Sequence, residues 1–228
     1  MEDPRIVPAG DAALLVEFPA RIDPATSARV IALAEAVRAR SGAKVRDLVV
    51  GYCSLTVYFD PLTLDAGWLA SELRALTANV PASLSADGAL IDVPVCYGGE
   101  FGPDLGEVAA RAACSEEEVV ALHSGRTYRV YVVGFVPGFP YMAALDPRLA
   151  VPRRATPRTK VPAGSVAIAA GQTGIYPMET PGGWHLLGRT PLRPYDAARR
   201  EPFLFRPGDR VRFQPIDRAQ FEKVAGAQ

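Results

Sequence analysis

The segment 134–191 constrains the fold more than any other part of the chain. It reads GFVPGFPYMAALDPRLAVPRRATPRTKVPAGSVAIAAGQTGIYPMETPGGWHLLGRTP. Its prolines recur too closely for a helix, because each interior proline removes an amide donor and clashes with the preceding turn. It is no disordered linker either. Phe135, Phe139, Tyr141, Ile168, Tyr176 and Trp184 run through it, and apolar mass of that size has to be buried or bound to something. The segment predicts a rigid, irregular surface laid on a β-sheet.

With 228 residues, 49% hydrophobic and 22% charged, the chain is long enough for two modest cores. Lys+Arg and Asp+Glu are equal at 25 each, so no global field selects nucleic acid or an anionic membrane surface. No stretch approaches a membrane span, and the opening MEDPRIVPAG lacks the basic flank and apolar run of a secretory signal. The expectation is a cytoplasmic chain with no membrane and no nucleic-acid partner. Cys53, Cys96 and Cys114 lie far apart without a close Cys or His neighbour. They read as free thiols rather than as a zinc site or a disulfide framework.

In the first third, the run 12–18 (AALLVEF) predicts a strand. Asp23-Pro24 then supplies an N-cap and a first-turn proline for a helix carrying Val30, Leu33 and Val37, which Ser41-Gly42 stops. Strands follow at 45–51 and 54–59, the second alternating Leu55, Val57 and Phe59 against Thr56 and Tyr58. A helix from about Asp65 to Ala78 and a strand at 89–95 complete a β-α-β-β-α-β order. That is the split, ferredoxin-like pattern. The polar stretch 81–88 is the expected boundary, dividing the chain into domains 1–86 and 87–228, with strand 89–95 open to either side.

Beyond it, two short helices are expected near 104–113 and 116–124, the second opened by a Ser115/Glu118 capping box. Residues 127–135 (TYRVYVVGF) form the strongest strand by content. Short strands at 165–170, 175–176, 184–189 and 209–213, separated by turns, point to a closed or partly closed barrel.

Candidate site residues concentrate in the proline-rich segment. Arg148, Arg153, Arg154, Arg158 and Lys160 sit on a backbone stiffened by prolines 152, 157 and 162. Guanidinium groups so held suit a carboxylate, a phosphate or an acidic partner, although a solvated basic face would look the same. Gly182-Gly183-Trp184-His185 joins backbone freedom to an aromatic wall and a titratable ring, a combination that suits a ligand pocket. His123 and His185 are the only histidines, and neither has metal-ligand spacing, so no metal site is expected. Ser165 lacks the second glycine of a nucleophile elbow. No phosphate-cradling glycine loop is present.

The motifs at 134–142, 152–169, 171–191 and PGDRVRF at 207–213 together resemble the family that contains the B subunit of 5-oxoprolinase, allophanate hydrolase subunit 1 and the Kip sporulation-kinase inhibitor. The resemblance implies an α+β chain: a small ferredoxin-like α/β N-terminal domain, then a cyclophilin-like β-barrel. It implies a subunit of a heteromeric ATP-dependent 5-oxoprolinase, inactive alone. Its partners would be a larger companion like the C subunit of 5-oxoprolinase (allophanate hydrolase subunit 2-like) and a lactam hydrolase like the A subunit. ATP with Mg would be used by the assembled complex and no cofactor held by this chain alone. The family's other roles, inhibition of a sensor histidine kinase and a part in urea metabolism, remain open. Carried onto this sequence, the pattern singles out His123, Arg153, Arg154, Arg158, Gln172, Tyr176, Gly182, Gly183 and Trp184. Arg154, Arg158 and Gln172 are then expected to hold carboxylate and amide groups, Tyr176 and Trp184 to form walls, and His123 or His185 to move a proton.

Overall fold

The computed structural model describes residues 4–80 and 88–226. The chain divides into two compact units, Met1–Asp87 and Gly88–Gln228. Apart from Gly88, the polar stretch expected at the boundary lies outside the described residues.

The first unit runs β1 (Arg5–Pro8), β2 (Ala13–Glu17), α1 (Pro24–Ser41), β3 (Val45–Val50), β4 (Ser54–Phe59) and α2 (Ala66–Asn79). Its helices begin where side chains satisfy the orphan amides of the first turn. The Asp23 carboxylate accepts from Ala25 N at 2.9 Å and Thr26 N at 3.1 Å, and Asp65 accepts from Trp68 N at 2.7 Å. The sheet order is β1-β2-β4-β3, antiparallel throughout. β2 and β3 are joined through α1 with β4 between them, as a split βαβ unit requires. Leu55, Val57 and Phe59 of β4 are buried with Leu33 and Val37 of α1 and Leu69 and Leu73 of α2.

The strand expected at 89–95 is open to either side of the boundary in sequence; the structure places it in the second unit. The strand after α2 does not return to this sheet; the edge beside β2 is taken by β1. Arg5–Pro8 is bounded by prolines at 4 and 8, which reads as a break in sequence but is tolerated on an edge strand, where one row of backbone groups needs no partner.

The second unit contains β5 (Leu90–Tyr97), α3 (Leu105–Ala112), α4 (Glu116–Ser124), β6 (Thr127–Gly134), β7 (Phe139–Ala143), β8 (Arg158–Val161), β9 (Ser165–Ala169), β10 (Gln172–Ile175), β11 (Thr180–Gly182), β12 (His185–Arg189), β13 (Arg210–Pro215) and α5 (Arg218–Ala225). Seven strands close a barrel in the order β10-β7-β6-β13-β5-β12-β9. An odd ring cannot alternate direction throughout, so one neighbouring pair must be parallel. That pair is β5 and β13. β8 and β11 form a separate two-stranded ribbon. Ser115 caps α4 through Glu118 N at 3.2 Å, while the Glu118 carboxylate pairs with Arg148.

The two-residue period of the strands builds two apolar clusters. Met142, Val166, Ile168, Ile175 and Leu187 join the large core that also takes in Leu105, Val108 and Val119 from α3 and α4. Their neighbours Tyr141, Ala167, Ala169, Tyr176 and Leu186 belong instead to a second cluster with Phe139, Val161 and Trp184. This second cluster carries the site.

Candidate functional site

A cavity of about 390 Å³ opens over that cluster, lined by Phe135, Phe139, Tyr141, Tyr176 and Trp184, by Arg153, Arg154 and Pro157, and by residues 180–183. Phe139 organises the aromatic floor. Its ring meets Tyr176 at 5.1 Å and 86°, Trp184 at 5.5 Å and 87°, and Phe135 at 5.9 Å and 87°. These are edge-to-face contacts, in which the positive edge of one ring meets the negative face of the next. Burial raises the hydroxyls of Tyr141 and Tyr176 above the ordinary tyrosine pKa, so both stay neutral. Phe135 projects to solvent at 63% exposure from a left-handed backbone with φ +66°.

The wall is the ribbon and the loop that precedes it. Arg154 N donates to Gly183 O at 2.8 Å, joining the loop to the turn after β11. Gly182 is required by space: a Cβ there would lie 2.3 Å from the Tyr176 hydroxyl. At Gly183 the nearest atom to such a Cβ is Pro157 Cγ at 3.6 Å, an ordinary contact. The two glycines of the motif are therefore not equivalent.

Behind the wall lies an ion-pair cluster whose central acid the sequence motifs do not single out. Asp104, 3% exposed, accepts from Arg158 Nη1 and Nη2 at 2.9 and 2.7 Å, from Arg154 Nη1 at 2.9 Å and from Leu186 N at 2.7 Å. Burial alone would raise its carboxyl; the Arg158 hydrogen bonds, the Leu186 amide and the charges of both arginines outweigh burial and hold it below the usual carboxylate range. Arg158 is thus committed to Asp104, and Arg154 divides itself between Asp104 and Glu107 Oε2 at 3.3 Å. Neither is the open carboxylate clamp that the basic loop predicts. Arg153 is different: it is exposed on the cavity's edge, and no ion pair engages it among the described residues. Asp104, Glu107 and His185 bring three donor atoms within 4.8 Å of one another. Two guanidinium groups already occupy Asp104, which makes the trio an ion-pair cluster rather than a cradle for a cation.

The histidines separate. His123 is fully buried, stacked on Phe213 at 4.5 Å, with Nδ1 2.8 Å from the Tyr97 hydroxyl and Nε2 2.8 Å from Thr173 Oγ1. Thr173 donates its own proton to Ala167 O at 3.1 Å and so accepts from Nε2–H, which leaves Nδ1 to accept from Tyr97. Burial lowers the His123 pKa to about 3. Both nitrogens are committed and the ring does not line the cavity. His185 is 1% exposed behind Trp184, its Nε2 3.0 Å from Pro152 O. Gln172 sits on β10, paired with Ala169, and does not line the cavity either. Of the candidate residues, the structure brings Arg153, Arg154, Tyr176, Gly182, Gly183 and Trp184 to one cavity.

Residues 4–205 match the family described as Carboxyltransferase domain, subdomain C and D. The chain belongs to that family. It is 42% identical over 224 residues to the 5-oxoprolinase B subunit of Escherichia coli O157:H7, covering 94% of this chain and 97% of the relative. Among solved structures it resembles TTHA0988, with a TM-score of 0.81 and 41% identity over 90% of this chain, which is 40% of that one. The K. lactis urea amidolyase shares the fold, with a TM-score of 0.79 and 21% identity over 98% of this chain and 15% of its own. Among the described residues, no helix is long and apolar enough to cross a membrane.

Proposed function

We propose that this chain is one subunit of a heteromeric, ATP-dependent 5-oxoprolinase that opens 5-oxoproline to glutamate. The observation that carries the reading is Arg153, a cation at the edge of an aromatic cavity that no ion pair engages among the described residues. 5-Oxoproline is a flat lactam ring bearing a carboxylate: the ring suits the aromatic floor and the carboxylate suits the guanidinium. The name of the 42% identical relative supports the same reaction. The cavity supplies binding groups without a nucleophile activated by a base, so the chemistry is shared with other chains. Those are a larger companion of the C type and a lactam hydrolase of the A type, with ATP and Mg used by the assembly. TTHA0988 favours a companion domain, since the matched region is only 40% of its chain. The test is co-expression with both companions and measurement of ATP-dependent glutamate release from 5-oxoproline. An assembled complex that releases none overturns the proposal.

A second reading, inhibition of a sensor histidine kinase by docking, draws on one observation. Phe135 stands 63% exposed at the cavity's mouth, while Phe139 beneath it is buried. A single protruding ring is an anchor rather than a partner-sized patch. Kinase autophosphorylation that is unchanged by saturating protein counts against this reading.

A further inference from the structure

Tyr176 is 2% exposed and lines the cavity. Its hydroxyl stands against the turn after β11: a Cβ at Gly182 would lie 2.3 Å from it, so a missing side chain is what makes room for the phenol there. The backbone N–H of Trp184 is directed at the phenol oxygen. A phenol has one proton to give and lone pairs to accept with. With an amide facing the oxygen, the O–H points away from that amide, and among the described residues no acceptor takes its proton. The tyrosines that border the large core differ. Tyr128 donates to His123 O at 2.8 Å, and Tyr97 lies 2.8 Å from His123 Nδ1.

A donor on a buried ring with no protein acceptor is satisfied by what the cavity takes in. Burial keeps this hydroxyl protonated, and the charge of Arg153 reaches it, so the phenol and the guanidinium serve the same space. We propose that Tyr176 is the specificity-determining donor of the cavity: its O–H takes the ring carbonyl oxygen of a cyclic amide whose carboxylate is held by Arg153. The proposal rests on the 5-oxoprolinase reading and deepens it by naming the group that reads the amide. In such a substrate the carbonyl and the carboxylate-bearing carbon flank the ring nitrogen, which places one acceptor for the phenol and one for the guanidinium on opposite sides of a ring that lies on Phe139 and Trp184. A ring acid without the carbonyl satisfies Arg153 and the aromatic floor equally well. It leaves the Tyr176 proton unpaired, and that is the basis of discrimination.

The test compares 5-oxoproline with cyclopentanecarboxylate, which keeps the ring and the carboxylate and lacks the carbonyl. Each is titrated into the full-length chain labelled with nitrogen-15, and dissociation constants are read from the amides of Gly182, Gly183 and Trp184. The wild type is expected to prefer 5-oxoproline about tenfold, the worth of one hydrogen bond, although the other acid is the more apolar; this comparison needs no variant. Tyr176→Phe keeps the ring and removes the preference. Arg153→Ala weakens both acids and keeps the preference. Equal affinities in the wild type, no binding of 5-oxoproline, or a preference that survives in Tyr176→Phe overturns the proposal. The reaction is scored apart, on the complex assembled with both companions. A complex that releases no glutamate, beside a preference that Tyr176→Phe removes, overturns the 5-oxoprolinase reading and leaves Tyr176 as the reader of cyclic amides. Glutamate release by Tyr176→Phe with an unchanged KM does the reverse.

Discussion

Arg158 grips the buried Asp104 with both arms of its guanidinium, Nη1 to Oδ2 at 2.9 Å and Nη2 to Oδ1 at 2.7 Å. This fork joins the ribbon strand β8 to the start of α3, and the remaining contacts of Asp104 reach Arg154 and the amide of Leu186. Removing the acid strands two guanidinium groups and a buried amide at once. Asp104→Ala is expected to lose about 3 to 5 kcal/mol of unfolding free energy, the usual cost of breaking a buried pair from one side. Urea titration measures it, and a loss under about 1 kcal/mol would show the cluster to be ornamental.

The same carboxylate sets an acid limb. Its pKa is below the ordinary 3.8 in the folded chain. A depressed folded value means that the contribution is complete above the unfolded pKa and disappears as pH falls through the folded one. Stability is thus expected to drop as pH goes below 3.8, and Asp104→Asn to lack that part of the drop.

His123 acts over a higher window. Folded, it titrates at about 3 against an ordinary 6.5, so between those values the unfolded chain binds the extra proton. Its neutral, buried state contributes fully above pH 6.5 and is lost progressively towards pH 3, at up to about 1.4 kcal/mol per pH unit. Urea midpoints across this range should show that slope, and His123→Gln should flatten it.

Gly182 and Gly183 separate on size. Gly182→Ala forces a methyl group against the Tyr176 hydroxyl and should cost about 1 to 3 kcal/mol, as overpacking does, with a shift in Trp184 fluorescence. Gly183→Ala should leave both nearly unchanged. Equal effects would show that backbone freedom, not space, selects glycine at both positions.

Arg153 and Arg158 separate on function. Arg153→Ala should change stability by no more than about 0.5 kcal/mol, yet raise KM of the assembled complex for 5-oxoproline about tenfold, the loss of one charge-assisted contact. Arg158→Ala should instead destabilise the chain itself. Denaturation and steady-state kinetics on the two variants distinguish these roles.

What could be read from sequence was what neighbouring residues decide. Asp23-Pro24 caps α1 because the interaction spans three residues, and the Leu55, Val57 and Phe59 alternation of β4 reports its buried face directly. β7 was hidden by Pro140, and β11 by the sequence Thr-Pro-Gly, which reads as a turn. The arginines of the basic loop looked available because Asp104 lies 50 and 54 residues away from Arg154 and Arg158. Charge runs show where cations are, not where their partners fold. His123 resembled a titratable ring at a helix end, and only the closure of the barrel around it makes it a neutral core group.

The parallel β5–β13 pair also decides how the second unit carries a load. Six residue pairs, Leu90 with Arg210 through Val95 with Pro215, join the strand that enters the unit to one near its exit. Traction on the start of β5 and the end of β13 pulls these neighbours in opposite directions along their length, so their hydrogen bonds are sheared together rather than unzipped one by one. Under mechanical force this seam is expected to resist as one unit, raising the barrier to forced unfolding of the second unit.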